Sequence, residues 1–588
     1  MSTAPLASLD DLGRLSRTVR HLRPGQVGQR IRLRAQRMAL DHSVPLASRW
    51  LLDSPHHAGL AAGGTAGHGW PDGFTPLDAG LWCDGRTSAA LRAGSLPLLG
   101  TRHRLAATGN ATAPGWASAD WEAASAPLLW RFHLYYWDWA WALASDHGSR
   151  DARPLFADIW TSWHSAVAPG RGPAWHPYPS ALRGWSFCGL YKTLVGGSRI
   201  QEQFLAELAT HASFLRRNLE TDVGGNHLLK NLKALAGLAV FFADDALLGW
   251  TLSRLDQQVR VQVLPDGGHY ERAPAYHCQV LADLIDITGL LRAAGHVEPA
   301  ALATAIDAMR GWLGSVLSPS GDVPMLNDGF PVSQGLLTAL APAPPPASPL
   351  TVLPDTGLAR ITAGGWQVLA DIGPPCPPQL PAHAHADSLS CVAYLDGQPL
   401  LIDTGTSTYA PGEARGRERS TAAHNTVEVD GRDSTEVWGA FRAGRRARVS
   451  AVAAREDDAT ITVEAAHDGY RFLPGRPVHH RRWSVAPGEL RVDDTVAGQG
   501  RHHIALRWHL PPGAGLRLAG DGAVATTAAG PVGVVVTGPA GLRMTAGTAS
   551  VSMGFGTTAV APVLTCTLDH ELPVKIATIW RRAEPDRS

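Results

Sequence analysis

The sequence has little charge and no excess of either sign. Charged residues make up 18% of the 588 positions, and 52 basic residues balance 52 acidic ones, which gives a formal net charge of +0. Lysine is so scarce that arginine carries almost all the basic charge; the lysines are Lys192, Lys230, Lys233 and Lys575. Because nucleic-acid-binding proteins carry a basic excess, this balance gives no electrostatic reason to expect a nucleic acid as the partner.

Cysteine is also sparse, and its spacing excludes the usual cysteine motifs. The 6 cysteines are widely scattered, and none of them forms a Cys-x-x-Cys pair. A zinc ribbon or a thioredoxin-like redox site is therefore not expected. Isolated thiols suit buried positions better than a disulfide framework, which favours a reducing compartment.

Long apolar runs are missing. None reaches the roughly 18 residues that a membrane-spanning helix needs. Residues 1–40 also lack the continuous apolar stretch of a secretory signal, since Asp10, Asp11 and a series of arginines interrupt them. This pattern predicts a cytoplasmic protein, with the periplasm and the cell envelope left open. The basic part of the segment could lie on an anionic membrane surface as a helix, although a solvated arm that packs on the main body is favoured.

The length and the changing texture of the chain predict two large domains, because 588 residues exceed what one core usually supports. Residues 120–340 read as successive helices with short connections, which suggests a helical toroid or solenoid. APAPPPASPL is an extended linker, since consecutive prolines cannot continue a helix. Beyond it, short apolar runs alternate with turns, which predicts an antiparallel β-sandwich. The predicted divisions are a basic segment at 1–50, a helical domain at 51–340, the linker at 341–350 and the β-sandwich at 351–588.

Tryptophan is frequent, with 20 residues concentrated in stretches such as LLWRFHLYYWDWAWAL and WHPYPSALRGWSF. Flat aromatic faces can stack on sugars, although a single tryptophan is more often part of the core. His133, Tyr135, Asp138 and Arg183 lie among these aromatics. A purely structural cluster has less reason to carry such polar groups, so the region is a candidate carbohydrate-binding surface.

Two polar constellations occur in the helical region. In GGNHLLKN, Asn226 and His227 open a helix directly after two glycines, so that both side chains face one space. In DGGHYERAPAYHCQ, a loop between two helices carries Glu271 and Tyr276 beside arginine and histidines. A tyrosine near such groups can act as a general acid or base, although a tyrosine that only packs its ring is the more common case.

A third constellation lies in PAHAHADSLSCVAYLDGQPLLIDTG, residues 381–405. Alternate side chains of an extended chain share a face, so His383, His385 and Asp387 would project together. Asp403 and His424 follow on or beside neighbouring strands. Two histidines and a carboxylate can hold Zn²⁺, while Asp387 has no better role than orienting its neighbours.

The spacing within this stretch carries a geometric condition. A tight turn at Asp396-Gly397 would pair Asp403 with Ser390, roughly 16 Å along the strand from His385. A metal site that joins them therefore requires the chain to turn away from the sheet just before Ser388, and we predict that it does.

The chain resembles the heparinase II/III-like polysaccharide lyases. The resemblance is carried, in this order, by GGNHLLKNLKAL, DGGHYERAPAYHCQVLADLID, HAHADSLSCVAYLDGQPLLIDTGTSTY, RSTAAHNTVEVDGRDSTEVWGAF and RRARV. The N-terminal RTVRHLRPGQVGQRIRLR also resembles signal-less members that are associated with bacterial exopolysaccharide gene clusters. The resemblance implies an incomplete (α/α) toroid followed by an antiparallel β-sandwich, which agrees with the architecture expected above.

The same resemblance implies roles for particular residues. Asn226 and His227 would lie at the substrate carboxylate, Tyr276 would be the catalytic tyrosine, and His383 would be the catalytic histidine of the β-domain. The implied ligands of a structural divalent metal, expected to be Zn²⁺, are His385, Asp403 and His424. Some members have a glutamate three residues after the histidine that matches His227, where this chain has Lys230; a cation there could favour an acidic substrate or replace a structural pair.

Together these features predict β-elimination on a uronic-acid-containing polysaccharide, which leaves a C4–C5 unsaturated uronate. Tyr276 or His383 would take the C5 proton, and Tyr276 is the better donor to the leaving O4. The expected partner is an acidic polysaccharide or oligosaccharide. Six further residues are expected to bind it: His133, Tyr135, Arg183, Glu271, Arg419 and Trp438.

Two alternatives stay open. The first is a toroid glycoside hydrolase that uses Asp138 with Glu271 or Asp328 as its two carboxylates. The second is a catalytically inactive polysaccharide-binding protein of exopolysaccharide assembly. The lyase is favoured because Asn226 and Tyr276 occur together with His383. No P-loop or dinucleotide fingerprint is found, so no nucleotide or redox cofactor is expected.

Overall fold

The structure is a computed structural model that describes residues 9–53, 68–77, 86–106, 115–146, 151–457, 459–520 and 522–583. Helices dominate the first part of these ranges. In chain order they are α1 (Leu9–Val19), α2 (Pro24–Asp41), α3 (Pro45–Leu52), α4 (Ser88–Arg92), α5 (Leu128–Tyr136), α6 (Trp141–Ser145), α7 (Ala152–Ala166), α8 (Pro177–Leu190), α9 (Gln201–Arg217), α10 (Gly225–Phe241), α11 (Asp245–Gln262), α12 (Pro274–Ala293), α13 (Ala300–Val316), α14 (Gln334–Leu340) and α15 (Glu413–Arg419).

The helices from α8 to α13 form two layers. α10 packs on both α8 and α12, and these three helices form the inner layer. In the outer layer α9 packs on α8 and α10, while α11 packs on α10 and α13, and α13 also packs on α12. All residues of α10 except His227 are buried. A helix that is apolar on every side is stable only when it is enclosed, and the Leu- and Ala-rich sequence of α10 meets that condition. The toroid predicted from the helical spacing is confirmed.

Two short strands, β1 and β2, lie within the helical part, and strands dominate the chain after residue 349. In chain order they are β1 (Ser95–Leu98), β2 (Thr101–Arg104), β3 (Leu350–Leu353), β4 (Leu358–Ala363), β5 (Trp366–Asp371), β6 (Cys391–Leu395), β7 (Gln398–Leu401), β8 (Val427–Val429), β9 (Val437–Trp438), β10 (Arg442–Ala443), β11 (Val449–Asp457), β12 (Thr460–His467), β13 (Val478–Ala486), β14 (Glu489–Ala497), β15 (Arg501–His509), β16 (Gly515–Ala519), β17 (Gly522–Thr527), β18 (Gly530–Thr537), β19 (Arg543–Gly554), β20 (Thr557–Glu571) and β21 (Val574–Arg582).

Three antiparallel sheets build the second domain. One has five strands in the order β3-β4-β5-β6-β7, one has eight in the order β11-β12-β13-β14-β21-β18-β17-β16, and one has four in the order β19-β20-β15-β8. Along β14 buried residues alternate with half-buried ones, as expected when one face of a strand packs on a core. The apolar faces of all three sheets meet in a common core that includes Trp366, Trp483 and Trp580. The predicted antiparallel sandwich is confirmed.

The predicted turn away from the sheet is also confirmed. Residues 381–390 form neither helix nor strand, and Leu389 has a φ of 63° just before β6 begins. Asp396 and Gly397, both with positive φ, form the tight turn between β6 and β7. His383 and His385 therefore lie in a loop rather than on one face of a strand, contrary to the alternation expected from the sequence.

The basic N-terminal segment packs on both domains. From α1, Arg17 forms a two-point ion pair with Glu436 of the β-domain. From α2, Gln26 donates to the carbonyl oxygen of Asp222 in the helical domain, while Arg30 pairs with the Asp222 carboxylate. The segment is thus a docked helical arm, which agrees with the favoured alternative.

The described cysteines are free and buried, as expected; they are Cys188, Cys278, Cys376, Cys391 and Cys566, while Cys83 lies outside the described ranges. No helix within those ranges has the length and hydropathy that crossing a membrane would require.

Candidate active site

Asp328 is the centre of a buried polar cluster between the two domains. It lies in the loop between α13 and α14, and its carboxylate accepts hydrogen bonds from His383 Nδ1 at 2.8 Å and from His385 Nε2 at 2.9 Å. Arg415 of α15 makes two further contacts, at 2.5 and 2.9 Å. Burial alone would raise the pKa of Asp328, but the Arg415 charge and both histidines hold it well below its usual range.

The second ring nitrogen of His383 meets another carboxylate. His383 Nε2 lies 3.0 Å from Glu271 Oε2, so each nitrogen of the ring faces an acid. Burial opposes the charge of the ring, but Glu271 and Asp328 together raise the pKa of His383 to about 9. The pKa of Glu271 falls to about 2, because the His383 charge outweighs the effect of burial. His383 is therefore a buried imidazolium at neutral pH, with no lone pair to take a proton.

Asn226 is fixed by the same glutamate. Its backbone N–H donates to Glu271 Oε1 at 2.7 Å, and its side-chain Nδ2 donates to Oε2 at 2.9 Å. The side-chain Oδ1 is buried without a partner. Glu271, which was predicted to bind substrate, is only 2% exposed and instead positions Asn226 and His383.

Tyr276 completes this cluster from the first turn of α12. Its ring lies against the His383 ring, with the centroids 4.0 Å apart, and its hydroxyl is 2.6 Å from the hydroxyl of Tyr409. Burial and the Asp328 charge raise the pKa of Tyr276, so the hydroxyl is protonated in the free protein. The Arg415 guanidinium lies 4.9 Å from the centre of the Tyr409 ring.

His227 is the one residue of α10 that is not buried, and it is oriented by a carboxylate of its own. Its Nδ1 lies 3.1 Å from the fully buried Glu220, whose pKa is lowered to about 2, because the His227 and His176 charges outweigh burial. With Nδ1 held by Glu220, the second ring nitrogen, Nε2, remains available for another hydrogen bond. The His227 ring packs on Tyr178 at 4.3 Å, and Tyr178 in turn contacts Tyr136 at 5.9 Å.

Lys230 is a structural cation. Its Nζ lies 2.6 Å from Asp283, which also pairs with Lys233 at 3.0 Å. Of the two explanations that the sequence left open for this departure from the family pattern, the geometry supports the structural pair.

The three predicted metal ligands lie together, but the fit to a metal is only partial. His385 Nδ1 and His424 Nε2 are both buried without a partner, and the two rings are 5.3 Å apart. Asp403, in contrast, already accepts from His424 Nδ1 at 2.8 Å and from the Gly405 N–H at 3.0 Å. Two imidazole nitrogens are thus without a partner, while each Asp403 oxygen already accepts one hydrogen bond. In the described part of the chain, no group of three His, Cys, Asp or Glu is arranged to hold one.

Asp387, expected to orient its neighbours, makes no side-chain bond to His385 or His424. Burial raises its pKa to about 6, and its Oδ1 has no partner.

Most of the predicted substrate-binding residues lie elsewhere. Tyr135 is in the helical core and donates to the Trp121 carbonyl oxygen at 3.0 Å. Arg183 is fully buried and donates to His211 at 2.9 Å and to main-chain oxygens. Arg419 is likewise fully buried and donates to the carbonyl oxygens of Ala384, Gly439 and Arg442. Tyr135 and Arg183 stabilise the helical core, while Arg419 holds the backbone between His383 and His385.

Two predicted substrate residues keep an open side. His133 is half-buried against Tyr136 at 4.6 Å, and burial lowers its pKa to about 4. Trp438 lines a cavity of about 260 Å³ and donates to the Thr18 hydroxyl of α1 at 3.0 Å. His133 therefore lies beside Tyr136, which contacts Tyr178, while Trp438 lies at the edge where α1 joins the β-domain.

Sequence reasoning missed four residues of this site. Asp328 was considered only as a hydrolase carboxylate, and Arg415, Tyr409 and Tyr178 were not singled out. Tyr409 ends one of the stretches that carry the resemblance, and Arg415 lies between that stretch and the next, so this region held the signal for both. The sequence held no such signal for Asp328, because its partners are 55 to 87 positions away along the chain.

Comparisons with known proteins agree on the architecture. Residues 156–341 match the description "Heparinase II/III N-terminus", and residues 345–561 match "Heparinase II/III-like, C-terminal". A crystal structure of heparinase III is similar over 90% of both chains, with a TM-score of 0.74 and 16% identity. The heparan sulfate lyase HepC from Pedobacter heparinus covers 91% of this chain and 88% of its own, with a TM-score of 0.59 and 15% identity.

One curated relative is FtsZ-localized protein C of Caulobacter vibrioides, which is 29% identical over 300 residues. The match includes 47% of this chain and 51% of that protein, so the chain spans about half the length of the curated relative it matches.

Proposed function

Because the chain belongs to the heparinase II/III-like family of polysaccharide lyases, we propose that it cleaves a uronic-acid-containing polysaccharide by β-elimination. One proton leaves C5 of the uronate, the C4–O4 bond breaks with its electron pair going to O4, and O4 gains a proton. The products are a C4–C5 unsaturated uronate and a new chain end. The observation that carries this proposal is the Tyr276 ring stacked on the His383 imidazolium, which shares the Glu271 carboxylate with the Asn226 side chain.

Tyr276 is the residue that moves the proton. Both nitrogens of His383 face carboxylates, so His383 cannot be the base in this arrangement. Its cation, 4.0 Å from the Tyr276 ring, would instead stabilise a developing tyrosinate. To act as the base, Tyr276 must first lose its own proton to solvent as the substrate binds. The tyrosinate can then take the C5 proton and return it to O4 on the same face, which makes the elimination syn.

The uronate carboxylate would be held by hydrogen bonds rather than by a cationic clamp. The charges around Tyr276 already cancel in pairs, His383 and Arg415 against Glu271 and Asp328. The Asn226 amide and His227 are the polar groups left to meet the charge that builds on C6 as C5 loses its proton. Stabilising this developing charge is the interaction that accelerates the reaction most.

A glycoside hydrolase is less compatible with this geometry. Asp138 pairs with Arg86 at 2.7 Å, while Glu271 and Asp328 share His383 and have lowered pKa values. An inverting or retaining hydrolase needs one carboxylic acid that stays protonated to donate to the leaving oxygen. None of these three offers it.

A structural Zn²⁺ remains part of the proposal. His385 and His424 would supply nitrogen ligands, and Asp403 would fix the His424 ring through their hydrogen bond. Such an ion would brace the loop that carries His383, and no step of the reaction depends on it.

The decisive experiment compares the wild-type chain with Tyr276→Phe on a panel of uronate polymers. The readout is the ultraviolet absorbance of the C4–C5 double bond. We expect Tyr276→Phe to lower the initial rate at least about a hundredfold, which is the usual contribution of general acid–base catalysis. Its thermal unfolding should stay close to that of the wild type.

The matched control is Tyr191→Phe, which removes a hydroxyl from the same domain. Tyr191 packs on Phe241, at the far end of α10 from Asn226. The Tyr191→Phe variant should retain full activity. A Tyr276→Phe variant with the normal rate, or products without the double bond, would refute the lyase mechanism. Polymer binding without turnover in the wild type would point to an inactive binding protein.

A further inference from the structure

The N-terminal arm leaves a row of large apolar side chains in solvent. Ile31 is 66% exposed and Met38 is 54% exposed on α2, while Leu46 is 80% exposed and Trp50 is 53% exposed on α3. Isolated exposed apolar residues are ordinary on protein surfaces, but several on two consecutive helices are not. We call these four residues, together with Val27 of α2, the N-terminal face.

The exposed apolar residues of α2 form a second apolar stripe along the helix. One side of the helix is buried through Gln26, Leu33 and Leu40, and it packs on the body of the protein. Val27, Ile31 and Met38 follow one another at intervals of four and seven residues, which places them on one side of the helix, opposite Leu33. The helix therefore has two apolar stripes. One packs on the body of the protein, and the other is exposed among the residues that the structure describes.

The charge around the stripe is mainly positive, and Asp41, the exposed last residue of α2, is the acidic residue of that helix. Residues 12–40 hold 8 arginines and no acidic residue, although the whole chain has a formal net charge of +0. Arg34 lies along one edge of the stripe and Arg32 along the other, and both are exposed. Arg30, on the Arg34 side, is exposed as well but pairs with Asp222. Arginine stems can lie beside apolar surface while their guanidinium groups reach outward to anions.

The face continues onto α3. Leu46 and Trp50 are one turn apart on that helix. The Arg217 guanidinium lies 5.8 Å from the centre of the Trp50 ring, and the carbonyl oxygen of Arg217 accepts from Arg32 of α2 at 3.4 Å. The apolar residues of both helices and their arginines are thus held on one side of the molecule by the helical domain.

We propose that the N-terminal face binds the surface of an anionic lipid membrane, with α2 and α3 lying in the headgroup region. An apolar stripe flanked by arginines meets both requirements of such a surface, apolar area for the acyl boundary and positive charge for the phosphates. Trp50 adds an amphipathic ring of the kind that favours the membrane interface. The charge complementarity argues for lipid as the occupant, and neither the polysaccharide nor the Tyr276 cluster is involved.

The test is flotation of the full chain with vesicles. The wild-type chain should float with vesicles of phosphatidylglycerol and phosphatidylethanolamine at ~0.1 M salt, and much less with phosphatidylcholine alone or at ~1 M salt. The double variant Ile31→Asp and Leu46→Asp should lower the bound fraction at least about tenfold, because it places charge where apolar area is needed. Arg34→Glu should weaken binding to the anionic vesicles and leave binding to phosphatidylcholine vesicles unchanged.

The matched control is Val560→Asp, which places the same charge on an apolar residue of the β-domain that is 71% exposed. It should float as the wild type does. Equal loss in Val560→Asp, or a wild type that ignores anionic vesicles, overturns the proposal. So does a chain that ignores vesicles but changes from dimer to monomer in sedimentation when Ile31 is replaced, since the face would then join two copies. Each variant is checked for folding by its thermal melt, and none needs turnover as a readout.

Discussion

At the scale of single residues, His383 couples the site to pH. Burial opposes its charge, but Glu271 and Asp328 raise its pKa from 6.5 to about 9. A raised pKa means that the protonated ring stabilises the folded state fully below pH 6.5, and that this contribution is lost as the pH rises through about 9. Glu271, with a lowered pKa, contributes above its ordinary value of 4.5 and loses that contribution as the pH falls through about 2.

This linkage gives a prediction for His383→Gln. At about pH 7 the variant should unfold with roughly 3 kcal/mol less free energy than the wild type, because two buried carboxylates lose their cation. The difference should shrink as the pH rises toward about 10, where the wild type loses the same charge. Urea unfolding of both proteins across this range measures it.

His503→Gln serves as the control, since His503 forms an exposed pair with Asp569. It should change the free energy of unfolding by less than about 1 kcal/mol at either pH. A His383→Gln difference that stays constant up to about pH 10 would show that His383 is not the cation inferred here.

The metal proposal also belongs to this scale. Elemental analysis of the purified chain should find about one Zn²⁺ per chain, and His424→Ala should remove it because that ring supplies one of two free nitrogens. Chelation should lower the melting temperature of the wild type and leave that of His424→Ala unchanged. His503→Ala should keep the metal. A wild type that is purified without metal, and whose melting temperature chelators do not alter, would rule the ion out.

At the scale of elements, the start of α10 decides where Asn226 lies. Gly225 has a φ of 57°, and a Cβ there would come within 1.7 Å of Glu271 Oε1. Only glycine lets the Glu271 carboxylate approach the first turn closely enough to hold Asn226. Gly225, the second of the two glycines that precede Asn226, thus leaves the space that the glutamate occupies.

Replacing Gly225 with alanine should therefore damage both stability and activity. We expect a loss of more than about 2 kcal/mol in the free energy of unfolding, from the strained φ and the collision with Glu271. Gly249→Ala in α11 is the control, because nothing lies within 4 Å of its added Cβ. Alanine there should be neutral or stabilising by up to about 1 kcal/mol. If chemical unfolding gave the same change in free energy for Gly225→Ala and Gly249→Ala, the role given to Gly225 would be contradicted.

At the scale of the whole molecule, the site exists only where the two domains meet. Asn226, Glu271, Tyr276 and Asp328 come from the helical domain, and His383 comes from a loop of the β-domain. The ion pair between Asp328 and Arg415 crosses this boundary with both side chains fully buried. The catalytic geometry and the docking of the domains thus depend on the same carboxylate.

Arg415→Met tests that dependence. The substitution should lower the free energy of unfolding by about 3 kcal/mol, because it leaves Asp328 buried with less compensating charge. In calorimetry it should also separate the unfolding of the two domains. Arg582→Met removes an exposed partner of Asp396 and should cost less than about 1 kcal/mol. A single sharp transition with unchanged midpoint in Arg415→Met would show that the pair does not join the domains.

The sequence by itself determined the division into helices and strands, since helical spacing, the proline linker and the turn residues are local signals. It also predicted that the chain leaves the sheet before Ser388, because a strand has a fixed length per residue. Only the tertiary structure decided which groups meet. His383 was expected as a possible base and is a cation instead, because Glu271 and Asp328 reach it from 112 and 55 positions away. The pKa of a buried group depends on the charges around it, and those charges are brought together by packing and not by order along the chain.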